Sequence, residues 1–182
     1  IQDRIIGEPY GFFCLYQKGV MKRAICQRRI REYPPSGGHA TSAETIFDDT
    51  LMEAGQHVFD KLNWHGVGMV EYKKTPEGNY CLMEINPKFW TALELHILAG
   101  MHFPEYLLEM GNRELEPRFE YKKKSYVWLC AFEGEMHRFF KRPRDIFRVL
   151  RDLFRSHTDL HLDDPKPSFI QFLYWIAWLF GR

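Results

Sequence analysis

The sequence predicts an α+β protein, an antiparallel β layer with helices packed beside it. Three observations carry this. β-prone runs broken by Gly and Pro fill the first 33 residues, a helical periodicity follows, and a second hairpin leads into further helices. At 182 residues, 45% hydrophobic and 27% charged, the chain can bury a real core and is not of disordered composition.

The elements follow in order. Ile1 to Ile6 and Tyr10 to Tyr16 have the pattern of short strands around Gly7-Glu8-Pro9. Val20 to Tyr33 is a third strand that turns basic at Gln27-Arg28-Arg29-Ile30-Arg31, and Pro34-Pro35-Ser36-Gly37-Gly38 then forces a loop. Ala43 to Leu62 has helical spacing, with Ile46, Leu51, Ala54, Val58, Phe59 and Leu62 near one face and Ser42 as N-cap. A hairpin spans Gly66 to Phe89. Helices are expected at Thr91 to Ala99 and Pro104 to Met110, split by Gly100. Tyr121 to Phe132 alternates like a strand, Arg144 to Arg155 is an amphipathic helix, and Phe169 to Phe180 is an apolar one.

Charge and cysteine usage narrow the function classes. The formal net charge is +1, which gives no global argument for nucleic acid, and no nucleic-acid partner is expected. The charge is uneven, with eleven Lys or Arg against five Asp or Glu from Arg118 to Arg155. Four cysteines at 14, 26, 81 and 130 form no Cys-x-x-Cys pair, so free thiols in a reducing, cytoplasmic setting are expected. No signal peptide is read, and no apolar run is long enough to span a bilayer. Opening on Ile-Gln-Asp without an initiator Met, the chain is expected to be a piece of something longer.

The hairpin carries the chemistry. If Pro76-Glu77-Gly78-Asn79 is its loop, Thr75 pairs with Tyr80 and Glu71 falls opposite Glu84, with Asn86 on the same face. Directly opposed like charges destabilise a sheet unless a cation sits between them. Two carboxylates and an amide oxygen are hard ligands that suit Mg²⁺ with phosphate oxygens. Alternatively the glutamates form a solvated face neutralised by Lys73 and Lys74. Arg29 and Arg31 share a strand face and precede a Gly-Gly loop, a pattern that suits phosphate or equally a soluble edge strand. The histidines are scattered, so His96 with His102, and His157 with His161, are taken as structural or surface residues.

Gln2-Asp3-Arg4-Ile5-Ile6-Gly7-Glu8, Gln27 to Gly38, Asn63-Trp64-His65-Gly66-Val67-Gly68-Met69-Val70-Glu71 and Met83-Glu84-Ile85-Asn86-Pro87-Lys88-Phe89-Trp90 occur in that order. Together they resemble the C-terminal half of the ATP-grasp domain, in the branch of carboxylate–amine ligases or carboligases related to carbamoyl-phosphate synthase and biotin carboxylase. The resemblance implies an ATP-grasp subdomain over residues 1–112 and a basic, aromatic, mainly helical extension over 113–182. It implies ATP with Mg²⁺ or Mn²⁺ as cofactors, and Glu71, Glu84 and Asn86 as the metal ligands. Gln2, Asp3, Arg4, Ile5, Glu8 and Arg29 would bind ATP, and Arg31 and Lys88 would serve catalysis. Lys88 stands where the family usually has Arg, which keeps the charge but loses the bidentate fork. The implied activity is activation of a carboxylate or bicarbonate as an acyl phosphate for attack by an amine. The partners would be those small molecules and a missing N-terminal half, without which the chain is expected to be inactive. The alternative is a degenerate, non-catalytic nucleotide-sensing or assembly module whose tail binds a partner or a membrane periphery.

Overall fold

The computed structural model describes residues 5–34, 38–129, 135, 146–161 and 163–180. Its element order is β1 (Glu8–Gln17), β2 (Val20–Tyr33), β3 (His39–Ile46), α1 (Asp49–Lys61), β4 (Gly66–Lys74), β5 (Tyr80–Asn86), α2 (Leu93–Leu98), α3 (Phe103–Met110), β6 (Ser125–Val127), α4 (Ile146–Leu153), β7 (His157–Thr158) and α5 (Lys166–Phe180). The strands form a seven-stranded sheet in the order β5-β4-β1-β2-β3-β6-β7. This is the expected α+β plan, with one addition: β6 and β7 pair in parallel, so the sheet is mixed.

The chain divides into two compact units, residues 1–29 with 44–124, and residues 30–43 with 125–182. That division is not the linear one at residue 112/113. Residues 30–43 group with the tail, and 113–124 group with the first unit.

In the first unit β1 is central, antiparallel to β2 on one side and to β4 on the other. Alternation gives its two faces different work. Tyr10, Phe12, Cys14 and Tyr16 point to one side and pack with Leu51 and Phe59 of α1. α1 lies close because two glycines leave room for it. A Cβ on Gly55 would stand 2.1 Å from the Phe12 ring, and one on Gly68 would stand 2.5 Å from Phe59. On the opposite face Phe13 meets Trp90 and His96 at ring separations of 4.6 and 4.5 Å, and Trp90 meets Phe103 at 5.1 Å.

The expected helix from Ala43 begins later. Residues 39–46 form β3, and the N-cap of α1 is Asp48, not Ser42. Thr45 explains the difference: it is buried, its backbone N–H donates to the Lys124 carbonyl at 2.9 Å, and its hydroxyl donates to the Lys122 carbonyl at 2.9 Å. Asp48 accepts the Leu51 N–H at 3.0 Å and the Tyr80 hydroxyl at 2.6 Å, which holds its carboxyl below the usual range.

Other boundaries also moved. Ile5 and Ile6 precede β1 and are not strand, whereas β2 keeps the expected bounds. Residues 121–124 stay irregular and β6 has only three residues. The expected Phe132 end of that strand and Arg144 of the amphipathic helix lie outside the described residues.

The second unit buries Tyr126, Val127, Trp128 and Leu129. Its polar centre is Glu135, whose Oε1 accepts from Arg31 Nε at 2.6 Å and from the Thr41 hydroxyl at 2.7 Å. Asp152 of α4 also receives the Arg31 guanidinium, through Nη1.

Candidate functional site

The hairpin register decides whether the acidic residues meet. Lys74 pairs with Tyr80, Lys73 with Cys81 and Tyr72 with Leu82; Glu71 then pairs with Glu84, Val70 with Ile85 and Met69 with Asn86. The expected Thr75–Tyr80 pair is absent, because the loop takes five residues, 75–79, closed by the Thr75 N–H to the Asn79 carbonyl at 2.9 Å. A bulge at Met83 then absorbs one residue and restores the Glu71–Glu84 opposition.

The surrounding sheet builds a surface around that pair. Gly11 of β1 lies beside Glu71 on one flank and Gln27 of β2 on the other, so Gln27, Gly11, Glu71 and Glu84 run across four strands in one row. Ile25, Phe13, Met69 and Asn86 form the next row on the same face. Gly11 has no side chain because the Phe13 ring leans over it; an added Cβ would meet that ring at 2.7 Å. Arg29 Nη2 reaches Glu71 Oε1 at 2.7 Å, with both side chains half-buried. Among the described residues, no hydrogen bond or ion pair engages the exposed Glu84 carboxylate or the buried Asn86 amide. Like charges face each other on adjacent strands, and the amide beside them has no partner among the described residues. This oxygen-rich donor set fits a hard divalent cation.

His96 supports the floor. Its Nδ1 accepts the Trp90 indole N–H at 2.8 Å, so its Nε2 carries the proton and donates to Gln27 Oε1 at 2.9 Å. Complete burial pushes its pKa down to about 3 and keeps it neutral. The structural role expected for it holds, and its link to the carboxylate row was not legible. An aromatic run followed by a lone His was the available signal.

The other expected site residues are placed as follows. Lys88 is exposed just beyond β5. Glu8 is exposed and accepts the Tyr10 hydroxyl at 3.4 Å. The Ile5 carbonyl accepts from Lys73 Nζ at 3.0 Å. Gln2, Asp3 and Arg4 lie outside the described residues, as does Gly37 of the Gly-Gly loop. Arg28 points to the face opposite Arg29, as strand parity requires, and binds Glu44 at 2.6 Å. Arg31 belongs to the second unit, buried and bonded to Glu135 and Asp152. A cavity of about 300 Å³ lined by Gln17, Lys18, His65, Met110 and Arg113 sits at the other end of β1 and includes none of the expected site residues. Among the described residues no cluster of three or more His, Cys, Asp or Glu could hold a metal; the candidate centre has two carboxylates and relies on Asn86 for a third donor.

No family model matches the sequence, and no curated protein matches it. Solved structures do. The phosphoribosylaminoimidazole carboxylase ATPase subunit of Aquifex aeolicus aligns with a TM-score of 0.56 at 16% identity, over 70% of this chain and 42% of its own. Biotin carboxylase from Campylobacter jejuni, solved as its beta-gamma-ATP complex, gives 0.52 at 9% identity, covering 64% and 28%. The biotin carboxylase domain of a thermophilic 2-oxoglutarate carboxylase, bound to bicarbonate, gives 0.51 at 12%, covering 62% and 27%. The chain thus spans less than half the length of each. At such identities the shared property is the backbone arrangement, and by that arrangement the chain has the ATP-grasp fold.

Proposed function

We propose that this chain is the Mg-ATP-binding half of an ATP-grasp ligase that activates a carboxylate or bicarbonate as an acyl phosphate for attack by an amine or similar nucleophile. The observation that carries the reading is the in-register opposition of Glu71 and Glu84, with Asn86 on the same face and neither the Glu84 carboxylate nor the Asn86 side-chain amide bonded to another described residue. In this reading Glu71, Glu84 and Asn86 hold Mg²⁺ or Mn²⁺, which when bound neutralises charge on the phosphates. Arg29 orients Glu71 and adds positive charge beside it. Lys88 supplies a point charge for a phosphate or carboxylate. Gln2, Asp3, Arg4, Ile5 and Glu8 contact the nucleoside. A phosphate role for Arg31 requires its guanidinium to leave Glu135 and Asp152. The remainder of the ATP cleft, and so the activity, belongs to a longer assembly than these residues.

The second reading, a nucleotide-sensing module without turnover, draws on the same arginines: Arg29 and Arg31 both hold carboxylates. One experiment separates the two. Mg²⁺-dependent phosphate release from ATP is measured on the complete protein with pools of carboxylates and amines. Release that disappears in Glu84→Ala and Asn86→Ala supports the ligase; near-normal release in both variants sinks the metal site. ATP binding that never leads to release favours the sensor.

A further inference from the structure

The cavity of about 300 Å³ at the far end of β1 belongs wholly to the first unit and plays no part in the carboxylate row. Gly11 of that row and Gln17 of the cavity are six residues apart on one strand, about 20 Å at ~3.3 Å per residue.

Its walls are fixed by the chain's own hydrogen bonds. Gln17 is buried; its Nε2 donates to the Met110 carbonyl at 3.2 Å and to the Arg113 carbonyl at 3.0 Å, and its Oε1 accepts the Leu115 N–H at 2.9 Å. One side chain thus holds the segment that follows α3. Lys18 (φ +51°) and Gly19 (φ +78°) form the tight turn between β1 and β2. That turn is pinned by the Gly19 N–H to the Trp64 carbonyl at 2.9 Å and the Lys18 N–H to His65 Nδ1 at 3.0 Å.

These bonds leave the cavity with a surplus of donors. The carbonyls of Trp64, Met110 and Arg113 are already engaged. Because His65 Nδ1 accepts from Lys18, the neutral imidazole carries its proton on Nε2, and that N–H has no acceptor among the described residues. The Lys18 ammonium has none there either. Arg113 spends Nη2 on Glu109 at 2.7 Å, which leaves its Nε and Nη1 without a described partner. Glu114, the one carboxylate among the lining residues, is held by the buried Lys22 ammonium at 3.1 Å. An ammonium, a guanidinium edge and an imidazole N–H without matching acceptors complement anionic oxygens. Half-buried Met110 adds apolar surface, and the volume, at the lower end for ligand pockets, exceeds what a bare ion needs.

We propose that this cavity binds a small organic anion, a carboxylate or a phosphate ester, through Lys18, His65 and Arg113, independently of the candidate metal centre. The anionic oxygens would accept from these three side chains while the body of the molecule lies on Met110.

The full chain, labelled with ¹⁵N, is titrated with inorganic phosphate and separately with succinate, at ionic strength held constant with sodium chloride. The His65 imidazole signal, assigned by its loss in His65→Gln, should shift and saturate; the probe that saturates at lower concentration tells a phosphate ester from a carboxylate. Lys18→Asn, chosen because Asn tolerates the positive φ, and Arg113→Gln should each raise the half-saturation concentration about tenfold, the loss of one charge-assisted bond, with the unfolding midpoint unchanged. Glu84→Ala should leave it unaltered, which separates this site from the metal centre. Shifts that stay linear with both probes, saturation indifferent to both substitutions, or saturation lost in Glu84→Ala would each overturn the proposal.

Discussion

Replacing Glu84 with Gln isolates the electrostatics of the candidate metal centre. The two carboxylates occupy directly opposed positions on adjacent strands, where Cβ atoms stand about 5 Å apart. With Glu84 exposed, Coulomb repulsion in water at about that separation is about 0.8 kcal/mol, reduced by salt to about 0.5 kcal/mol. Glu84→Gln keeps the side-chain volume and removes the repulsion without touching Arg29, so it should gain about 0.5 kcal/mol in chelator, or one to two degrees in Tm. From the sequence, Glu71→Gln is the equivalent probe and should also stabilise. The structure reverses that expectation, because Glu71 is the partner of Arg29 at 2.7 Å and its neutralisation strands a half-buried guanidinium. Urea unfolding with and without Mg²⁺ tests both. Wild type should gain stability from Mg²⁺ and Glu84→Gln should not. A Glu84→Gln variant less stable than wild type in chelator, or a Glu71→Gln variant more stable than it, would refute the geometry.

Two further outcomes rest on packing and burial. His96 takes up its proton near pH 6.5 when unfolded but resists it to about 3 when folded. Its contribution is therefore complete above 6.5 and is lost as pH falls toward 3. Between about pH 7 and about pH 5, wild type should lose about 2 kcal/mol more than His96→Gln in urea titrations; equal losses would place the imidazole in water. Gly55→Ala should cost about 2 kcal/mol in the same assay despite the better helix propensity of Ala, because its Cβ would stand 2.1 Å from the Phe12 ring. An unchanged midpoint would mean that α1 can lift off the sheet freely.

What the sequence made legible was local. The bounds of β2 and the existence of the 66–86 hairpin followed from β-prone runs and turn residues. The Glu71–Glu84 opposition followed from parity, although the loop was counted one residue short and only the bulge at Met83 restored the pairing. Long-range partners were not legible. Ala43 and Ile46 fit a helical period by coincidence, and what makes residues 39–46 a strand is the hydrogen-bonded place of β3 between β2 and β6, to which Thr45 adds bonds with Lys122 and Lys124, some eighty residues on. The Arg29–Glu71 pair depends on β1 standing between β2 and β4, an order that no spacing encodes. For Arg31, the partners Glu135 and Asp152 lie more than a hundred residues away in the chain.

The bulge at Met83 has a second consequence, for solubility. β5 is the outermost strand of its side of the sheet, and Leu82 and Met83 are exposed on it. A flat, apolar edge of that kind would template pairing with another chain. The extra residue bends the strand and breaks its ladder, so a second molecule meets no continuous row of backbone donors and acceptors. A chain lacking Met83 would still set Glu71 against Glu84, but in an unbroken ladder, and its edge would be open to strand addition and aggregation.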